Sequence, residues 1–184
     1  TVVVLPEELR SSVARGGSDQ YAKILDFDEA VSVAERYRQA GKNIVFTNGC
    51  FDLLHAGHVH YLQQARLSGD LLMIGLNTDA SVQRLKGPKR PIVPEKERAA
   101  VLSALECVSH VVLFDEDTPK NIIESLKPDV LVKGADWPAD KVVGRDFVEG
   151  RGGKLVLIDT LEGRSSTEIV NTILARESAN TQAG

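Results

Sequence analysis

The feature that most constrains how this sequence can fold is an alternation. Short apolar runs at Ile44 to Thr47, Leu71 to Leu76, Val111 to Phe114, Val130 to Val132 and Leu155 to Ile158 are separated by stretches with helical signatures. The runs are rich in Val, Ile and Leu and lack the polar alternation of a half-exposed strand, so they suit strands covered on both faces, as in parallel sheets. The stretches between them predict helices near 57 to 68, 79 to 85, 94 to 107, 118 to 126 and 140 to 150, with a last one from about 166 to 177. Pro94 and Pro119 stand where a first helical residue belongs, and Pro128 follows the close of the 118 to 126 helix. Repeated β-α units imply an α/β fold: a doubly wound, five-stranded parallel sheet of Rossmann-like type with right-handed crossovers. Ligands of such sheets lie outside the carboxyl ends of the strands, at the switch point.

Upstream of the first run, Asp26-x-x-Glu29 has capping-box spacing, and Ala30, Val33, Ala34 and Tyr37 share one face of a helix that Gly41 ends. This helix either covers the sheet or serves an interface between copies of the chain. Residues 1–25 show no sustained periodicity and read as an N-terminal arm, 26–177 as a single domain and 178–184 as a C-terminal tail.

Composition narrows the function. With 42% hydrophobic and 26% charged residues the chain is globular, and 22 basic against 26 acidic residues give a net charge of −4. That balance excludes a protein that coats nucleic acid, so no nucleic-acid partner is expected. No apolar run approaches the ~18 to 20 residues that span a bilayer, and there is no signal-peptide layout. No membrane partner is expected, and the location expected is cytoplasmic. The two cysteines, Cys50 and Cys107, form no C-x-x-C and read as free thiols in a reducing compartment. One cationic stretch stands out: Arg84, Lys86, Lys89, Arg90, Lys96 and Arg98 face only Glu95 and Glu97. Either a polyanion docks there or the stretch is a solvated loop and helix end.

Three of the four histidines, His55, His58 and His60, fall within six residues. The first strand runs directly into Thr47-Asn48-Gly49-Cys50-Phe51-Asp52-Leu53-Leu54-His55-Ala56-Gly57-His58, and a helix follows. A strand-to-helix turn is an anion address: N–H groups and the positive dipole end favour phosphate, and Gly49 and Gly57 permit close approach of backbone to ligand. Imidazoles there can donate to phosphoryl oxygens as charge develops in phosphoryl or nucleotidyl transfer. A zinc site is the competing reading, but no cysteine or carboxylate pair completes a tetrahedral set. A purely structural reading needs a partner for each ring, and His60 reads as a helix-surface residue. P-loop and dinucleotide-binding fingerprints are absent.

The ordered set Gly49-x-Phe51-Asp52-x-x-His55-x-Gly57-His58 resembles the signature of the HxGH nucleotidyltransferase superfamily, in its cytidylyltransferase-like branch. Phe46 to His58, Gly69-Asp70, Asn77-x-Asp79-Ala80-Ser81, Arg84-Leu85-Lys86-Gly87, Arg90-Pro91, Glu116-Asp117-Thr118-Pro119, Leu131-Val132-Lys133-Gly134-x-Asp136 and Ser165-Ser166-Thr167-x-Ile169 are together similar to the adenylyltransferase family of bacterial ADP-heptose synthesis. The resemblance covers roughly residues 26–177.

This resemblance implies ATP lying over the His-x-Gly-His turn, with a substrate phosphate oxygen attacking the α-phosphorus and expelling pyrophosphate. It implies that His55, His58 and Lys86 are catalytic, holding the triphosphate and stabilising the charge of the pentacovalent state. Asn48, Gly49, Cys50, Phe51, Asp52 and Gly57 would line the nucleotide, as would Lys133, Gly134, Asp136 and Trp137. Ser165, Ser166 and Thr167 would form a second phosphate cradle, beside the plain reading of Ser165-x-x-Glu168 as a capping box. Arg90 and Arg164 are candidates for the substrate phosphate; the cytidylyltransferases carry an Arg about five residues before this serine, where this chain has Thr160. Cys50 reads as a wall of the pocket, near a helix start that lowers a thiol pKa.

The activity implied is transfer of AMP from ATP to D-glycero-β-D-manno-heptose 1-phosphate for lipopolysaccharide inner-core synthesis. ATP and a sugar 1-phosphate are the partners, with Mg²⁺ bridging the triphosphate, and a homo-oligomer, a dimer or larger, is implied by the related enzymes. A cytidylyltransferase acting on glycerol 3-phosphate or a similar alcohol phosphate is one alternative; a nucleotide-binding module without turnover is another.

Overall fold

The structure, a computed structural model, describes residues 20–159 and 166–182. Its frame is one sheet of parallel strands: β1 (Ile24–Leu25), β2 (Ile44–Gly49), β3 (Leu71–Asn77), β4 (His110–Phe114), β5 (Val130–Gly134) and β6 (Lys154–Ile158), in the spatial order β1-β4-β3-β2-β5-β6. The helices are α1 (Phe27–Gln39), α2 (Ala56–Arg66), α3 (Asp79–Lys86), α4 (Glu95–Ser103), α5 (Lys120–Leu126), α6 (Arg145–Gly150) and α7 (Ser166–Gln182).

The sheet has six strands where the sequence predicts five. The additional one is β1, whose two residues pair with Val111 and Val112 of β4. Two residues cannot display a period, so nothing in the pattern announces this strand. Residues 24 and 25, read as part of the arm, therefore belong to the sheet, and a single 3-10 turn, Gln20–Lys23, precedes them. The helix expected over 140 to 150 is divided into a 3-10 turn, Ala139–Lys141, and α6, because Gly144 takes a φ of 88° that a continuous helix excludes. A Cβ at Gly144 would also stand 2.7 Å from Ile123 Cδ1.

The strands alternate inward contacts between two cores. On one face Ile44, Phe46, Leu71, Met73, Val112 and Leu131 pack under α1, α5 and α6, through Ala30, Ala34, Ile122, Ile123 and Val148. On the other, Val45, Leu72, Ile74, Val111 and Val130 pack under α2 and α4, through Leu62, Ala65, Ala99 and Leu102. Each buried aliphatic side chain contributes ~1.5 to 3 kcal/mol, so the two cores dominate the stability of the sheet. Burying both faces explains why the strands lack polar alternation. The helix α1 covers the sheet, and the expected capping box is formed: Glu29 N donates to Asp26 Oδ1 at 2.8 Å and Asp26 N to Glu29 Oε2 at 3.0 Å.

The chain winds outward from β2 in two directions: β3 lies on one side of it and β5 on the other. This is the switch point. The β2–β3 ladder runs the full length of β2, from Ile44↔Leu71 to Gly49↔Leu76. The β2–β5 ladder has only Val45↔Val130 and Phe46↔Leu131, although both strands continue for three more residues. Their carboxyl ends therefore part and leave a crevice, where a doubly wound sheet takes a ligand.

Candidate nucleotide-binding site

Beyond Gly49 the chain turns sharply, with Phe51 at a φ of 44° and its ring buried in the α2–α4 core. A Cβ at Gly49 would lie 3.0 Å from the Phe51 ring, so the glycine admits the aromatic that anchors the turn. Asp52 is the turn's fastening. Its carboxylate accepts from Arg90 Nη1 at 2.6 Å, Ile92 N at 2.7 Å and Val93 N at 3.0 Å. Those bonds hold its pKa below the usual carboxylate range, although burial works against them.

His55 is the N-cap of α2, and its side chain makes no capping bond. His58 lies at the third helical position, so the two imidazoles stack, with centroids 3.8 Å apart and planes inclined by 25°. The Phe51 ring meets His58 edge-on at 5.2 Å. Burial, then the neighbouring His55, then Lys86 lower the His58 pKa to about 4, with the Leu53 backbone working the other way. At neutral pH this ring is uncharged. Lys86 closes α3 with its side chain in solvent, near enough that its charge acts on both His58 and Cys50.

The expectation that Cys50 has a lowered pKa is not met. Burial pushes the thiol up, and that outweighs the opposing pull of Lys86 and Arg98. The Cys50 Sγ, expected to be a wall of the pocket, lies 4.0 Å from Asn77 Oδ1.

Across the crevice, Lys133 Nζ donates to Asn48 Oδ1 at 2.5 Å and lies 3.4 Å from Asn48 O. Burial draws its pKa down to about 8, against the favourable charges of Cys50 and Asp136. The Trp137 ring is about half exposed, with Lys133 Nζ 5.9 Å from its centroid. Gly134 ends β5, and Asp136 is exposed just beyond it. On the far side of the turn, Ser166 Oγ donates to Leu53 O at 3.2 Å, which ties the start of α7 to the histidine turn, while Thr167 is exposed. Arg164 and Ser165 lie outside the described residues.

Thus Asn48 to His58, Lys86, Lys133 to Trp137 and Ser166 gather at the carboxyl rim. Arg90 is held by Asp52, with 17% of its side chain exposed, so in this structure its charge serves the turn. The sequence reading missed Arg98 as a site residue. Its side chain is fully buried; it donates to Val93 O at 2.9 Å, to Cys50 O at 2.5 Å and to Asp79 Oδ1 at 2.7 Å. Arg98 and Asp52 together fasten the segment between α3 and α4 against the turn, so the cationic stretch is a strap whose ends are fixed. Tyr61, one turn after His58, bonds its hydroxyl to that of the buried Thr47 at 2.7 Å, fixing α2 against β2.

Among the described residues no group of three or more His, Cys, Asp or Glu could hold a metal ion, and Asp52 and Asp79 are committed to arginines. The described side chains do not form a metal cage. No helix among those residues is long and apolar enough to cross a membrane.

A parallel α/β sheet with a histidine-bearing, anion-favouring turn at its switch point defines a nucleotide-handling protein. The family model described as cytidylyltransferase-like matches residues 46–171, and the chain belongs to that family of nucleotidyltransferases. Similar proteins include the bifunctional protein HldE of Citrifermentans bemidjiense, 54% identical over 95% of this chain and 36% of the relative, and that of Syntrophotalea carbinolica, 53% identical over 96% and 36%. This chain thus spans about a third of the length of those relatives. A solved structure described as the lipopolysaccharide core biosynthesis protein of Thermoplasma volcanium matches with a TM-score of 0.58 and 32% identity, covering 66% of this chain and all of that one. A pantoate-beta-alanine ligase from Francisella tularensis, at 12% identity and a TM-score of 0.50, shares the fold.

Proposed function

We propose that this chain transfers the adenylyl group of ATP to D-glycero-β-D-manno-heptose 1-phosphate, giving ADP-heptose and pyrophosphate. The observation that carries the reading is the stacked His55–His58 pair at the start of α2, with Lys86 beside it, at the switch point of a cytidylyltransferase-like sheet. The choice of heptose is supported by the HldE relatives, by the lipopolysaccharide core description of the structural neighbour and by the ordered motifs of the sequence.

A non-bridging oxygen of the sugar phosphate forms the new bond to the α-phosphorus, and the bond from that phosphorus to the α,β-bridging oxygen breaks. Its electron pair leaves with pyrophosphate. The attacking phosphate is already anionic, so no side chain needs to generate a nucleophile. What remains for the protein is positioning and charge stabilisation. His55 and His58 donate N–H bonds to the triphosphate, and the first turn of α2 adds its dipole. Lys86 supplies the full positive charge from the opposite wall. A tetra-anionic ligand reverses the balance that keeps His58 neutral, so the ring gains a proton affinity when ATP enters. Asn48, Gly49 and the Lys133-to-Trp137 segment line the nucleoside side, and Ser166 and Thr167 face the phosphates. A divalent cation entering with ATP, Mg²⁺ by the sequence reading, would supply charge neutralisation, and no side chain among the described residues is assigned to hold it.

Pyrophosphate release with each NTP, crossed against heptose 1-phosphate and glycerol 3-phosphate, tests the proposal. Turnover with ATP and heptose 1-phosphate is expected. Turnover only with CTP and glycerol 3-phosphate would replace the acceptor and the base, and no release with any pair would leave a binding module.

A further inference from the structure

The crevice between β2 and β5 opens where their ladder stops at Phe46↔Leu131. Two residues further along each strand, Asn48 and Lys133 face each other across it, and their side chains restore the link that the backbones have lost. Asn48 is fixed on its other side by the β3 ladder, opposite Gly75, where a Cβ would come within 3.2 Å of Asn48 Cβ. Its amide can therefore turn about the side chain but cannot leave the crevice. An ammonium is a donor only, whereas an amide has one end that accepts and one that donates. With Lys133 on Oδ1 at 2.5 Å, the Nδ2 end is the one left for a ligand, and no described residue accepts from it.

We propose that Lys133 is a positioning residue: by holding Asn48 Oδ1 it fixes the amide so that Nδ2 is presented as a donor to an acceptor atom of the bound nucleotide. The proposal rests on the nucleotidyl-transfer reading and deepens it. The cost of keeping a cation in this crevice supports it. Among the described residues Lys133 forms no ion pair, and the groups that act on its charge are Cys50 from the turn after β2 and Asp136 from the loop after β5. Nucleotide carbonyl or ring-nitrogen acceptors gain from a donor of fixed orientation, because its rotamer is ordered before binding.

Above about pH 8 the ammonium loses its proton. A neutral amine can accept as well as donate, so the amide is no longer held in one sense. Nucleotide affinity therefore falls on the alkaline side. In Lys133→Arg the cation persists at that pH and the alkaline fall is delayed.

The experiment is calorimetric titration of the full chain with ATP, and in parallel with CTP, without acceptor. Lys133→Met is expected to weaken binding by about tenfold, the scale of one hydrogen bond to an ordered donor. In the Asn48→Ala background the same substitution is expected to have little further effect, because Lys133 acts through Asn48. Losses that multiply in the double variant would overturn the proposal and make Lys133 a direct ligand. If Lys133→Met fails to fold, Lys133→Arg decides: an alkaline limb unchanged from that of the parent chain would overturn it. Binding of CTP alone would refute the base choice of the proposed function, and the same variants titrated with CTP would then uphold or overturn the clasp by the same criteria. Binding of neither nucleotide would refute both.

Discussion

Two histidines of this protein are pushed toward neutrality by the same forces at opposite ends of the sheet. His58 at the carboxyl rim and His110 at the amino end of β4 both lose proton affinity, first through burial and then through neighbouring positive charge. Their surroundings differ. His110 Nε2 lies 3.4 Å from Tyr37 Oη, and the two rings pack at 5.8 Å, so its environment is filled by α1. His58 stacks on a second imidazole at a helix start, with Lys86 nearby. A depressed pKa thus does not identify a functional histidine. The address does: N–H groups, an imidazole pair and a lysine converge at one end of the sheet, and an aromatic seals the other.

The sharpest way to break this contrast is mutation at each end. His58→Ala should lower turnover by ~10² or more, the scale for removal of one transition-state donor. His110→Ala should leave turnover near that of the parent chain and lower thermal stability instead. Equal losses of turnover would erase the distinction.

Next in size is the fastening of the turn. Asp52→Asn keeps the shape but weakens three bonds, one of them to a partly buried arginine, and should cost about 2 kcal/mol of stability. Chemical denaturation measures that cost, and a midpoint unchanged from the parent would show that Asp52 does not fasten the turn.

Acid dependence comes third. The unfolded chain protonates a histidine near pH 6.5, but folded His58 does so only near 4. Between those values the unfolded state binds more protons, so stability falls as pH falls through the window, and the loss is complete below about 4. His110, also lowered, contributes in the same direction. ATP should flatten the part due to His58 by raising its pKa, whereas the part due to His110 should persist. Thermal melts from pH 7 to 4, with and without ATP, in the parent and in His58→Asn, separate the two. The smallest effect is expected for Cys50→Ser, which should keep most of the turnover because the thiol is pushed up and performs no step. Complete loss would give it a direct role.

The sequence exposed the sheet and the histidine turn for the same reason: both are local. Strands β2 to β5 carry apolar runs because both faces are buried there, β6 at the sheet edge keeps its aliphatic run although Lys154 and Leu157 are exposed, and the turn is contiguous from Asn48 to His58. Strand β1 was illegible because two residues, Ile24 and Leu25, carry no period. Arg98 was illegible because a charged residue inside a Glu-Lys-Glu-Arg helix start reads as solvated surface; its burial is set by Cys50 and Asp79, 48 and 19 residues away. The clasp of Lys133 on Asn48 spans 85 residues and depends on two strands diverging, which only the sheet order reveals. The direction of the Cys50 shift is illegible in sequence because burial, which only the fold sets, outweighs the nearby positive charges.

The most direct test of the central contrast is NMR observation of the four imidazoles, His55, His58, His60 and His110, through a pH titration with and without ATP. The account predicts that ATP shifts the resonances of His55 and His58, raises the His58 pKa from about 4 and leaves His110 unmoved. An unmoved His58, or a His110 that responds as strongly, would contradict it.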